Sequence, residues 1–205
     1  MKLPTTRRLI VFVRAPQYGV AKTRLAAEIS PGAAWRAYQA MTAATLAALA
    51  PSPYWTTHLA VTPERFVRRS RFWPPSIVRS PQSAGDLGQR MAAALAQAVR
   101  RGPAIIVGSD IPTITQAHIG AAFDLLGRHD VVLGPATDGG YWLAGLRRGL
   151  PDAAVRHLFD AVRWSSADAL ADTVRNVPHG WRIGYAATLS DVDSASDFAA
   201  WIGRG

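Results

Sequence analysis

Acidic residues stand in this chain where buried, apolar stretches give out. Asp110 closes the run Ala104-Ile105-Ile106-Val107-Gly108-Ser109-Asp110. Asp138 follows Val131-Val132-Leu133-Gly134-Pro135-Ala136-Thr137 and leads into Gly139-Gly140-Tyr141. Asp191 and Asp193 follow the apolar stretch from Trp181 to Leu189. Ligands of open parallel sheets bind in the crevice outside the carboxyl ends of the strands. Carboxylates delivered there by separate strands can converge on one hard cation, Mg²⁺ or Mn²⁺. A fourth segment, Gly19-Val20-Ala21-Lys22-Thr23-Arg24, brings cations suited to phosphates. Together these residue types point to metal-assisted handling of a nucleotide.

Each residue also has a plainer role open to it. Asp110 begins an Asp-x-Pro turn, and its carboxylate can cap backbone N–H groups. Asp138 precedes two glycines, which is turn chemistry. Asp193 or Ser194 can be the N-cap of a last helix, with Asp191 nearby for the helix dipole. Lys22 and Arg24 can be ordinary charges at a helix start, although cations are poorly placed there without an anion. A helix N-terminus binds phosphate readily through its exposed N–H groups. The carboxylates argue more strongly as a set, because all fall on one strand-end edge beside the basic loop.

The elements that must position them follow from pattern. Leu9 to Val13 is a continuous apolar run, so Arg8 to Ala15 reads as a strand covered on both faces. Helices are expected over Lys22 to Glu28 and, after Pro31-Gly32, over Ala33 to Leu49. Thr57 to Thr62 reads as a strand, Pro63 opens a short arginine-rich helix, and Ser76 to Arg79 is a third strand. After the loop Gln82 to Gly88 comes a helix to about Arg101, then a strand over Ala104 to Gly108 and a helix over Thr115 to Leu126. Asp130 to Gly134 and Tyr141 to Leu146 read as strands, Ala153 to Ala161 and Ser166 to Val177 as helices. Trp181 to Ala187 is the last strand and Ser194 to Ile202 the last helix. This alternation predicts a single domain over 1–205, an α/β/α sandwich around a mixed, mostly parallel sheet.

Composition removes other classes. The chain has 205 residues and no cysteine, which excludes disulfides, thiolate metal sites and a cysteine nucleophile. No apolar run reaches the ~18 residues of a membrane helix. Met1 to Arg8 has no signal-peptide core, so a cytoplasmic protein is the simplest reading. The P-loop spacing fails because Ala21 stands where Gly must precede Lys22. The fingerprints G-x-G-x-x-G and G-x-S-x-G are absent. The formal charge of +9 invites an anionic partner, and Arg65, Arg68, Arg69 and Arg71 are its densest cluster. However, the 23 basic residues are 21 Arg and 2 Lys in an Ala-rich chain, a bias that high-GC coding explains equally well. Nucleic acid is therefore not the expected partner.

The ordered segments carry a resemblance. They are Arg14-Ala15-Pro16 with Gly19-x-x-Lys22-Thr23-Arg24-Leu25; Gln82-x-x-Gly85-Asp86-Leu87-Gly88-x-Arg90-Met91; Gly108-Ser109-Asp110-x-Pro112; Gly134-Pro135-x-x-Asp138-Gly139-Gly140-Tyr141-Trp142-Leu143; Trp164-Ser165; and Asp191-Val192-Asp193. The chain resembles the bacterial radical-SAM/selenodomain-associated, or arsenosugar-biosynthesis, glycosyltransferase family. It is similar at greater distance to molybdenum-cofactor and phospholactate guanylyltransferases. Arg14 stands where that family usually has Lys, Tyr18 where it has Pro, and Ser166 where it has Thr.

The resemblance implies the nucleotide-diphospho-sugar transferase fold of GT-A type, with a nucleotide or nucleotide sugar and a small acceptor as partners. It implies phosphates against Lys22 and Arg24, with Arg14, Gly19 and Thr23 also binding the nucleotide. Mg²⁺ or Mn²⁺ would lie on Asp110 and on Asp191 or Asp193. Gln82, Gly85, Asp86, Leu87 and Gly88 would contact the base or ribose. Asp138, Gly139, Gly140, Tyr141 and Trp142 would line the acceptor side, with Asp138 orienting the acceptor or acting as its base. Lys22, Arg24 and Asp138 would be the catalytic residues. Glycosyl transfer from a nucleotide sugar and nucleotidyl transfer from a nucleoside triphosphate both suit this arrangement. A non-catalytic basic nucleotide- or nucleic-acid-binding protein is the third reading, and its affinity would collapse as salt rises.

Overall fold

The structure, a computed structural model, describes residues 7–20, 22–50, 52–68 and 72–203. Met1 to Thr6, Ala21, and Arg69 and Arg71 of the arginine cluster lie outside the described residues.

Among the described residues, seven strands form one sheet in the order β3-β2-β1-β4-β6-β5-β7. They are β1 (Arg8–Arg14), β2 (Thr56–Thr62), β3 (Val78–Pro81), β4 (Ala104–Val107), β5 (Val131–Pro135), β6 (Tyr141–Leu146) and β7 (Ile183–Tyr185). β1 pairs in parallel with β2 and β4, β2 with β3, and β5 with β7. β6 runs antiparallel to both β4 and β5. This reversal brings the β5–β6 hairpin to the same edge as the carboxyl ends of β1 and β4. The predicted mixed, mostly parallel sheet is present. The apolar run of β1 is buried on both faces, with Leu9, Val11 and Val13 in one core and Ile10 in the other.

Helices cover both faces. α2 (Pro31–Leu49) and α4 (Gln116–Leu125) bury Leu46, Leu49, Ile119 and Phe123 against Leu9, Val11 and Ile105. On the opposite face α3 (Leu87–Val99) and α5 (Asp152–His157) bury Met91, Leu95, Val99 and Val155 against Ile10, Ile106 and Leu133, with Leu170 and Val174 of α6 (Ala169–Arg175) packed on the rim. α1 (Thr23–Ile29) and α7 (Ala195–Ile202) flank a third, smaller core of Leu25, Ala34, Tyr38, Met41 and Val192. No helix among the described residues is long and apolar enough to cross a membrane.

Several boundaries differ from the pattern. The arginine-rich helix after Pro63 is a single 3₁₀ turn, Glu64–Phe66. The third strand begins later than expected, at Val78 rather than Ser76. The helix expected over Ser166 to Val177 starts only at Ala169, because the Ser166 hydroxyl donates to the Arg163 carbonyl and ties the preceding residues into a turn. The expected last strand, Trp181 to Ala187, shrinks to β7. Beyond it the chain continues beside β5 through an Ala136–Leu189 bridge.

Candidate functional site

The loop after β1 turns at Gly19, whose φ of 72° lies in the left-handed region that favours glycine. Lys22 follows with φ 55° and ψ 52°, also left-handed, as the N-cap of α1. A left-handed residue with a Cβ costs roughly 1–2 kcal/mol. The side chain it presents is held at its tip: Nζ lies 2.8 Å from Asp110 Oδ2 and 2.6 Å from Asp193 Oδ1. Arg24 Nη1 lies 3.6 Å from Asp193 Oδ2 and is largely exposed. The anion that cations at a helix start require is thus supplied from within the chain.

Local capping decides which acidic residues are left for the site. Ser194, not Asp193, is the N-cap of α7, accepting from the Asp197 N–H, while Asp197 Oδ2 accepts from the Asp193 and Ser194 N–H groups. Glu28 of α1 accepts from the Ala195 N–H and ties α1 to α7. Val192 is buried in the third core, and its N–H donates to the Asp110 carbonyl at 3.2 Å. These contacts carry Asp191 and Asp193 to Asp110. Carboxylate oxygens of Asp110, Asp191 and Asp193 lie within 4.8 Å of one another. Three hard oxygen donors at that spacing fit Mg²⁺ or Mn²⁺, and the ammonium between two of them shows that the position favours a cation.

The electrostatics agree. Burial works against the Lys22 charge, but the Asp110 and Asp193 carboxylates outweigh it and hold its pKa at about 12. Burial, together with the charges of Asp193 and Asp110, pushes the Asp191 carboxyl up to about 6. Beneath the cluster, the buried Tyr38 hydroxyl donates to the Arg14 carbonyl at 2.9 Å, accepts from the Arg14 N–H at 3.2 Å, and lies 3.4 Å from Ser109 Oγ. Tyr38 thereby fixes the end of β1 to the loop before Asp110. No motif points to Tyr38; its signal in the sequence is helical register with Ala34 and Met41 on the buried face of α2.

Two depressions meet at Asp110. One, of about 420 Å³, is lined by Arg14, Lys22, Thr23, Arg24, Tyr38 and Asp193 besides Asp110. The other, of about 220 Å³, has apolar walls of Phe12, Leu87, Met91, Tyr141 and Trp164, with Asp138 and Asp191 among its lining. Asp138 is exposed in the β5–β6 turn, where Oδ1 accepts from the Gly140 N–H at 2.9 Å. Its turn role is therefore real, and it still faces the cleft. Gly139 has φ 87°, and a Cβ there would stand 2.3 Å from the Ala167 carbonyl oxygen. The turn can only close against the α6 entry because this residue has no side chain. Tyr141 is mostly buried, with its hydroxyl accepting from Thr173 Oγ1, and Trp142 donates from Nε1 to the Ala187 carbonyl. Both rings are fixed walls.

The segment from Gln82 to Gly88 is committed to the scaffold. Gln82 donates to the Val13 and Ala60 carbonyls and accepts from Arg90, joining β1 and β2 to α3. Asp86 caps α3 in a reciprocal pair with Gln89, across which Gly85 takes φ 106°. A Cβ on Gly88 would stand 2.7 Å from the Phe159 carbonyl oxygen, so this glycine lets α3 approach the Phe159–Trp164 segment. Leu87 reaches the cleft wall.

Comparison with known proteins agrees with this architecture. A nucleotide-diphospho-sugar transferase, so assigned provisionally, from Desulfovibrio desulfuricans G20 superposes with a TM-score of 0.83 at 28% identity, covering 95% of this chain and 85% of that one. Rv0371c of Mycobacterium tuberculosis H37Rv, solved in complex with manganese, superposes with a TM-score of 0.61 at 14% identity, covering 98% of this chain and 100% of that one. The fold is that of the nucleotide-diphospho-sugar transferases. The 3-phospho-D-glycerate guanylyltransferase of Phenylobacterium zucineum (strain HLK1) is 34% identical over 138 residues, 64% of this chain. The match spans 63% of that relative's length. Residues 45–166, from α2 past Asp110 and Asp138 to the entry of α6, match the profile described as "Uncharacterized protein conserved in bacteria (DUF2064)", and the chain belongs to that family.

Proposed function

We propose that this chain is a metal-dependent nucleotidyltransferase, joining the nucleotidyl group of a nucleoside triphosphate to a small acceptor in the cytoplasm. One observation carries the reading: Arg14, Lys22 and Arg24 line a single depression that also receives Asp110 and Asp193. A triphosphate brings charge to its outer phosphates, and three cations on one wall answer it. The guanylyltransferase relative supports the same chemistry. Held by Asp110, Asp191 and Asp193, Mg²⁺ or Mn²⁺ supplies charge neutralisation at the phosphates. The manganese complex of the structural neighbour is in keeping with that choice.

In the reaction an acceptor oxygen attacks the α-phosphorus, the bond to the β-phosphate oxygen breaks, and pyrophosphate leaves. Lys22 and Arg24 hold the leaving phosphates, with Arg14 and Thr23 beside them, while the Gly19 turn brings backbone close. Leu87, on the cleft wall, borders the base or ribose. Asp138 orients the acceptor against the walls made by Gly140, Tyr141 and Trp142. Most of the rate enhancement comes from positioning and charge compensation.

A second reading, glycosyl transfer, is favoured by the apolar cleft beside Asp138, which suits a neutral acceptor, and by the Desulfovibrio relative. There an acceptor hydroxyl attacks the sugar and a nucleoside diphosphate leaves. A thermal-shift screen of nucleoside triphosphates and nucleotide sugars, with Mg²⁺ or with EDTA, separates the two, since a ligand at 100 times its Kd stabilises by about 2.7 kcal/mol. Stabilisation by triphosphates that needs Mg²⁺ is expected. Stabilisation by nucleotide sugars alone would sink nucleotidyl transfer. Asp138→Asn should then lower turnover while sparing donor affinity; full activity would leave Asp138 a turn residue only. The narrower arsenosugar link implied by the resemblance is tested by turnover assays that pair the donor found in this way with arsenical and non-arsenical acceptors.

A further inference from the structure

Lys22 holds two of the three carboxylates that would take the metal. Its Nζ contacts Asp110 at 2.8 Å and Asp193 at 2.6 Å, and its side chain is 8% exposed while the two carboxylates are 35% and 37% exposed. The ammonium therefore approaches from the protein side and the carboxylates keep an open face. A divalent ion touching the same oxygens would lie a few ångströms from the ammonium, and like charges at that range repel by several kcal/mol even at an effective dielectric of about 20. If Lys22 simply withdrew, a poorly exposed charge would lose both its partners, which is strongly unfavourable. The depression shared with Arg14, Thr23 and Arg24 gives the flexible lysine stem another destination, but only when an anion occupies it.

We propose that Lys22 is the resident counter-ion of the Asp110–Asp191–Asp193 cluster, and that divalent metal and polyphosphate bind as a coupled pair, the phosphates drawing the ammonium off the carboxylates as the metal replaces it. The inference rests on the phosphate-binding role proposed above. It makes metal affinity low in the nucleotide-free protein and ties it to phosphate. By linkage the metal raises polyphosphate affinity by the same factor.

The test is Mn²⁺ binding without any nucleotide, followed by the electron paramagnetic resonance of the free ion. Lys22→Met and Lys22→Gln should each bind Mn²⁺ roughly 10-fold more tightly than the unaltered protein, within the range of coupled sites. Arg24→Met, which removes a charge from the rim, should change the affinity by less than about 3-fold. Circular dichroism melts establish that each variant is folded. Equal or weaker Mn²⁺ binding by both folded Lys22 variants would overturn the exchange. If the unaltered protein still bound tripolyphosphate only with Mn²⁺, the metal-dependent reading would survive that failure. If no protein bound Mn²⁺, alone or with tripolyphosphate, both readings would fall together.

Discussion

On one side of Asp110 the cleft is held by charge, and on the other by shape. The side formed by the β1 loop and the Asp191–Asp193 segment gathers Lys22, Asp110 and Asp193 through ion pairs of 2.8 and 2.6 Å. The side formed by the β5–β6 turn meets the cleft through glycine and packed rings: Gly139 against Ala167, Tyr141 edge-on to Trp164, and Trp164 against Phe159, although α6 itself carries ion pairs of Asp172 with Arg163 and Arg175. A side held by ion pairs can exchange one partner for a ligand, because each charge can be satisfied again. A side held by contact distances cannot move without clashing. The comparison separates residues whose loss removes binding from those whose loss removes the fold, and substitutions can break it in either direction.

The largest effect belongs to Asp110, the residue both depressions share. Asp110→Asn should weaken Mg²⁺-dependent nucleoside triphosphate binding by at least about 100-fold, while thermal unfolding shifts by only a few degrees. Calorimetric titration of the folded variant checks this, and unchanged Mg²⁺-dependent affinity would remove Asp110 from the metal cluster. Gly139→Ala should act in the opposite manner. With φ at 87° and a Cβ 2.3 Å from the Ala167 carbonyl oxygen, it should cost about 2–4 kcal/mol in urea denaturation. A loss under 0.5 kcal/mol would show that the turn yields and that this side is not held by shape.

Asp191 sharpens the comparison through sign. Its folded pKa of about 6 lies above the model-compound value of 3.8, so the folded chain binds the proton more tightly than the unfolded chain. Stability from this group is fully present below pH 3.8 and is lost as pH rises through 6. Asp191→Asn should therefore stabilise the metal-free protein at pH 8 by about 1–2 kcal/mol after allowance for solvent screening, and the gain should vanish near pH 4. Paired urea titrations at the two pH values measure it; a destabilised variant at pH 8 would mean the carboxylate is welcome without metal. The smallest effect is that of Arg24, largely exposed and 3.6 Å from Asp193. Arg24→Ala should leave stability within about 0.5 kcal/mol and weaken a nucleoside triphosphate several-fold, with no change for the nucleoside. Equal losses for both would show that the loop reads the base.

Much of this was legible in the sequence because it depends on neighbours in the chain. The apolar run Leu9 to Val13 announces a strand covered on both faces, and Tyr141 to Leu146 a strand at its observed boundaries. Ser194 could be read as the N-cap of the last helix, whereas Asp86, expected at the base or ribose, caps α3 with Gln89. The carboxylates after successive strands, beside a basic loop after the first, could be placed on one edge because parallel strands end together.

Tertiary structure decided what local pattern leaves open. The residues of β6 read the same in either direction, and only pairing with β4 and β5 made that strand antiparallel and set it between them. Gly88 reads as room for a ligand, yet it is room for the Phe159 backbone. Lys22 and Asp193 stand 171 positions apart, and nothing in either one's neighbours says that they meet. Backbone preference and capping are set within a few residues, so the chain determined its elements and its edge by itself. Which charges touch depends on how those elements pack, and here the burial of Val192 and Leu25 in one small core brings the ammonium and the carboxylates together.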